Sequence, residues 1–281
     1  MNISLFFFFF LFLLVLTPFI YSQVVQTQVI ELTEKVRDFF IEAAKGNIIG
    51  QETGNLFAQN DAVGTVEEDI QSQGGILIFL QSAETIDITS ADTVNDVAGG
   101  SNANSVRIIG LNENFTEIEE VLLLNAAGNT TTQEFIRINK LIVNSVGTYS
   151  VSNAGIITGT SSISATVQIE IPAGEGISKS SHYTVPAGQR FIGTRIFVSV
   201  TTGKEVSVSL KIRENADDVI TPFSPIITPR VVKGISVPIN AEQKSGIVLA
   251  EKSDIWATGV TSIGTSEVEI NLDFIQYAIG T

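Results

Sequence analysis

Apolar and polar residues alternate one for one in several stretches of this chain. In "EVSVSLKIR", Val206, Val208, Leu210 and Ile212 fall on one face, and Ser207, Ser209, Lys211 and Arg213 on the other. "EVEINLDF" repeats the scheme with Val268, Ile270, Leu272 and Phe274, and "TVQIEI" (166–171) alternates as cleanly. A period of two with one wettable face predicts antiparallel sheets that each pack on one side. Many such runs at short spacing, punctuated by Gly, Asn, Ser and Thr, point to sandwiches or jelly rolls. The expected fold is mainly β: two antiparallel β-sandwich (jelly-roll-like) domains preceded by one N-terminal helix.

Composition and punctuation divide the chain. The uncharged run "LFFFFFLFLLVLTPFI" ends before Tyr21-Ser22, so residues 1–22 read as a cleaved signal peptide or, uncleaved, as a membrane anchor. Residues 23–49 carry a helical pattern. Val25, Val29, Val36 and Phe40 form a stripe with Ala43, and Gly46 is a plausible stop. This stripe is the candidate interface, buried either on its own sheet or between subunits. The β texture begins after Gly50, and the Pro- and Gly-rich "IPAGEGIS" (171–178) suggests a break. The expected domains are therefore 50–171 and 172–281.

The search for chemistry returns little. Thirty acidic residues against sixteen basic give a net charge of −14, which repels phosphate backbones, so nucleic acid is not an expected partner. The absence of cysteine excludes disulfides and thiolate chemistry. His182 is the sole histidine and has no motif around it. The paired carboxylates Glu67-Glu68-Asp69, Glu119-Glu120 and Asp217-Asp218 have no aromatic cluster beside them, as a sugar-cleaving site often would. "ENADDV" (214–219) offers oxygens for calcium without an EF-hand pattern, and "VPAGQRF" (185–191) lacks phosphate-loop spacing. No catalytic residue, cofactor or metal ligand is expected. The lone Trp256 reads as core or rim. Asn114 and Asn129 begin N-x-S/T tripeptides. "RIIGLNENFTEIEEVLLLN" (107–125) reads as a hairpin turning at Asn112-Glu113-Asn114, with Glu117 and Glu119 on a wet face.

Five collinear segments carry a resemblance: "SADTVNDVAGGSNANSVRIIGLNENFTEIEEVLLLN", "FIRINKLIVNSVGTYSVSNAGIITG", "IPAGEGISKSSHYTVPAGQRFIGTRIFVSV", "VSLKIRENADDVITPFSPI" and "LAEKSDIWATG…SEVEINLDF". Together they resemble an uncharacterised family of virion structural proteins of tailed, mainly marine, bacteriophages. The resemblance implies a capsid decoration or head/tail accessory subunit that self-associates, as a trimer by analogy, and binds a shell rather than turning over a substrate. The expected place is the virion or the extracellular space. The alternative from the residues alone is a secreted adhesin or carbohydrate-binding module.

Overall fold

The structure is a computed structural model and describes residues 39–201 and 203–280. It divides into two compact units, residues 1–49 and 50–281. In the first, α1 (Phe39–Ala44) ends where Gly46 takes a positive φ of 73° and its N–H bonds Ala43 O. Only glycine adopts that conformation without strain, so the stop at Gly46 has a physical cause. Phe40 lies in α1, whereas Val25, Val29, Val36 and residues 1–22 lie outside the described residues.

The second unit is mainly β, and its strand pairs are antiparallel. One sheet contains β1 (Gln51–Val63), β11 (Gln189–Val200), β14 (Ile239–Leu249) and β16 (Ser266–Ala278), ordered β1-β16-β11-β14. A second contains β10 (Tyr183–Thr184), β12 (Val206–Arg213), β13 (Ile226–Ile235) and β15 (Asp254–Thr261), ordered β10-β15-β12-β13, and β2 (Glu68–Asp69) also pairs with β15. The alternating residues bring these two sheets together. Val206, Val208, Leu210 and Ile212 of β12 share one buried cluster with Val268, Ile270 and Leu272 of β16 and Phe191, Ile196 and Val198 of β11. Burying such side chains stabilises by about 1.5–3 kcal/mol each, which fixes the register because a one-residue slip would expose them all. The Phe274 ring occupies the space a side chain at its strand partner Gly54 would need, because an added Cβ would sit 2.3 Å from Phe274 Cζ. Phe274 in turn stacks on Phe191 at 4.6 Å between centroids.

β2 and β10 both pair with β15, yet 113 residues (70–182) separate them in the chain. Asp69 faces Thr258, Ile70 N–H bonds Ala257 O, and Tyr183 faces Ile255, so the two short strands continue one line along β15. Ser181 closes the gap, its N–H bonding Ile70 O and its Oγ bonding Ala257 O.

The intervening chain builds its own sheets. β3 (Ile86–Ser90), β6 (Asn129–Thr130), β8 (Ile157–Ser161) and β9 (Val167–Ile171) form one, ordered β6-β3-β8-β9. β4 (Ala103–Leu111), β5 (Glu117–Leu123) and β7 (Arg137–Val146) form the other, ordered β5-β4-β7. Ile86, Ile88, Val106, Ile108, Leu141 and Ile169 meet in their shared core. At one corner Asp96, with no exposed surface, accepts N–H bonds from Ala103, Ala154 and Gly155 and a hydroxyl bond from Ser90. A buried carboxylate is tolerable when its oxygens are occupied in this way.

Candidate functional site

The hairpin β4–β5 forms as its sequence suggests. Asn112 Oδ1 accepts the N–H groups of Asn114 and Thr116, Phe115 takes a φ of 60° and its ring is buried. Glu119 is exposed, but Glu120 is not a mere solubiliser: its carboxylate accepts the N–H groups of Thr132 and Gln133. Asn114 is exposed at the hairpin tip, while the Asn129 side-chain amide donates to Leu123 O.

The other carboxylate groups are held by donors. Glu67 bonds Lys211 at 2.8 Å and accepts the Thr258 hydroxyl at 2.5 Å, and these two contacts hold its carboxyl below the ordinary value. Glu68 accepts the N–H groups of Gly64 and Gly75. Asp217 pairs with Lys252 at 2.9 Å, and Asp218 accepts the Ser224 N–H and hydroxyl. Among the described residues no three His, Cys, Asp or Glu gather as a metal site would require. "VPAGQRF" leads into β11 rather than a helix, as a strand-linking turn would.

The densest polar constellation lies where the inserted sheets meet the outward face of β15. Arg137, at the start of β7, is 5% exposed, and Asp254, on β15, is fully buried. The guanidinium grips the carboxylate with two bonds, Nε to Oδ1 at 3.0 Å and Nη2 to Oδ2 at 3.1 Å. Its Nη1 donates to Leu80 O and Ile136 O, both at 2.8 Å, and Thr184 Oγ1 donates to Asp254 Oδ1 at 2.6 Å. Beside them, Asn139 and Thr184 exchange an amide and a backbone bond, each of 2.9 Å. Phe79 lies 4.8 Å under the Arg137 guanidinium and turns its edge to Trp256.

His182 belongs to the same joint, and nothing in the sequence marked it. Its Nε2 is 3.1 Å from Asp69 Oδ2 and its Nδ1 3.1 Å from Ser180 Oγ. Serine, histidine and carboxylate therefore touch, but the ring is 5% exposed, stacked 13° from parallel on Trp256 and edged by Phe79. A nucleophile's base must reach a substrate, and this ring is packed as a structural link. Trp256 is likewise buried at 5% exposure, which removes it as a flat sugar-stacking platform. One signal for the joint did exist: Asp254 and Trp256 alternate with Ile255 and Ala257, so β15 is apolar or committed on both faces.

Two sheet edges carry exposed aliphatic side chains. β13 is an edge strand, with Ile226 59%, Ile227 43% and Val231 46% exposed. Val121 and Leu123 are exposed on edge strand β5. Both edges carry devices against strand addition. Pro229 on β13 has no N–H, and Arg230 and Lys233 flank it with charge. On β5, side-chain amides of Asn129 and Gln133 cap the carbonyls of Leu123 and Glu119.

No family model matches the chain, and no curated protein matches it. Among solved structures it is similar to that of infectious bursal disease virus, Gt strain, with 8% identity, 85% of this chain and 82% of that chain covered, and a TM-score of 0.20. It is also similar to infectious bursal virus-derived T=1 particles, with 9% identity, 82% and 74% coverage and a TM-score of 0.21. Superpositions this loose carry no inference about fold or function. No helix among the described residues is long and apolar enough to cross a membrane.

Proposed function

We propose that this chain is a non-enzymatic structural subunit of a viral or extracellular assembly. It acts by self-association, as a trimer by analogy, and by binding a shell or surface, which puts it on a virion or outside the cell. The observation that carries the reading is strand order. With β2 and β10 counted as one interrupted strand, the sheets β1-β16-β11-β14 and β10-β15-β12-β13 run first-eighth-third-sixth and second-seventh-fourth-fifth. Two interlocked Greek keys, the jelly roll of many shell-building proteins, have this order. The inserted sheets then make a second domain carried by the first, and the joint at Arg137–Asp254 and His182–Asp69 fastens the two.

Fold alone does not assign function, so the reading also rests on surface. Two guarded edges, β13 and β5, carry exposed aliphatics such as Ile226 and Leu123, which suits side-chain contact between subunits rather than strand addition. Identical subunits joined by one such contact commonly close into a symmetric ring. Light scattering of the purified full chain across a wide concentration range tests this. A defined oligomer or larger particle is expected, and a constant monomer mass at every concentration, with the native shell or surface also present, overturns it.

A further inference from the structure

The tip of the β4–β5 hairpin turns its side chains two ways. Phe115, 1% exposed, packs inward with Leu80, Leu111, Ile136 and Ala216, and its carbonyl accepts the Ala187 N–H. On either side of it, Asn114 and Thr116 are exposed. Their backbone N–H groups are taken up by Asn112 Oδ1, whereas the Asn114 side-chain amide and the Thr116 hydroxyl have no hydrogen-bond partner among the described residues. Beside them opens a cleft of about 430 Å³, whose polar lining comes from Asn112, Glu113, Asn114, Thr132, Gln133 and Glu134.

The second N-x-T tripeptide is built in the opposite way. Asn129 lies in β6, paired with Ile88 of β3, and its side-chain amide donates to Leu123 O at 3.1 Å. Thr131 is 3% exposed, and its hydroxyl donates to Gln133 O at 2.8 Å and accepts the Ile86 N–H at 2.9 Å. Both groups must leave the sheet before either can meet another protein.

We propose that Asn114, and not Asn129, accepts an N-linked glycan when the chain passes through a glycosylating secretory pathway. The acceptor asparagine is read together with a hydroxyl two residues on, here Thr116. In the transfer, Asn114 Nδ2 attacks the anomeric carbon of an oligosaccharide carried on a lipid diphosphate. A C–N bond forms and the C–O bond to the diphosphate breaks. The lipid diphosphate leaves with the bonding electron pair, and Nδ2 gives one proton to a base of the transferase. The attached glycan must then project from the folded chain. Asn114 allows this, and the amide, hydroxyl and carboxylate groups of the cleft suit the hydroxyls of the first sugar. The proposal rests on the extracellular placement of the chain and not on its self-association.

The test is expression of the full chain in cultured insect cells, once with its own first 22 residues and once with these replaced by an established cleavable secretory signal. Peptide N-glycosidase converts each glycosylated asparagine to aspartate, which peptide mass spectrometry then locates in the secreted protein. With the replacement signal, most secreted chains should carry the glycan at Asn114 and few or none at Asn129. Asn114→Gln and Thr116→Ala should each abolish it, Thr116→Ser should retain part of it, and Asn129→Gln should leave it unchanged. Mapping on the parent chain needs no variant, so a variant that fails to fold does not blunt the test. Secreted parent chains bare at Asn114, or occupied at Asn129 as fully as at Asn114, overturn the proposal. The chain with its own leader decides the separate question of placement: if it stays inside the cell while the other chain is secreted and glycosylated at Asn114, the extracellular reading fails and the acceptor site stands.

Discussion

Arg137→Met isolates the energetics of the joint. The substitution keeps the unbranched apolar stem and removes the guanidinium. Asp254, with no exposed surface, would keep only the Thr184 hydroxyl, and Leu80 O and Ile136 O would each lose a charged donor. Removing one partner of a buried ion pair costs about 3–5 kcal/mol, because the remaining charge stays buried. For a unit of this size each kcal/mol moves the melting temperature by about 2–4 °C, so a drop of about 6–20 °C is expected. Arg137→Met with Asp254→Asn removes both charges. Its remaining cost is mainly the two orphaned carbonyls, about 1–3 kcal/mol each, which Arg137→Met also bears, so relief of the stranded Asp254 charge should leave the double variant more stable than Arg137→Met alone. Calorimetric melting with urea unfolding of the four proteins in this cycle measures both quantities. If Arg137→Met lies within about 1 kcal/mol of the parent, or the double variant loses as much as the two singles summed, the pair is not the coupled anchor described.

Three further outcomes follow from the same geometry. Val208→Asp and Ile270→Asp each bury an unpaired charge at positions 3% and 2% exposed and should cost about 4 kcal/mol or more in urea unfolding; unchanged melting in both would mean that the strand faces are inverted. Burial pushes the Glu84 carboxyl up, but the Ser164 hydroxyl and the N–H groups of Ser164 and Ile163 outweigh it and hold the group below its ordinary value of 4.5. The stabilisation is therefore present above about pH 4.5 and lost as pH falls through the lower folded value; the parent should lose more stability on acidification than Glu84→Gln, and parallel stability–pH curves would contradict this. Deleting residues 23–46, which carry the Val25–Phe40 stripe, should leave circular dichroism intact and reduce oligomer mass in light scattering; a truncated protein that melts earlier or aggregates would make the helix a core lid instead.

What the sequence disclosed depended on whether the signal was local. Val206 to Ile212 and Val268 to Leu272 alternate because each strand has one buried face, and all seven of these apolar side chains lie in one core. The β4–β5 turn was legible because Asn112 bonds its own neighbours. β1 was not, because its partner β16 lies more than two hundred residues away in the chain and its alternation is diluted by polar residues such as Asn60. Nor was the interruption between β2 and β10. Each has two residues, too short for any period, and their common line exists only because β15 supplies the other side. His182 and Arg137 look ordinary in sequence. Their roles come from Asp69 and Asp254, which lie 113 and 117 positions away.

Cryo-electron microscopy of this protein isolated from its native source tests the central proposal most directly. The account predicts repeated copies in contact on a shell, a fibre or a closed ring, with exposed aliphatics of β13 or β5 at subunit boundaries. Dispersed single copies, bound to no shell or surface, with both edges open to solvent would contradict it.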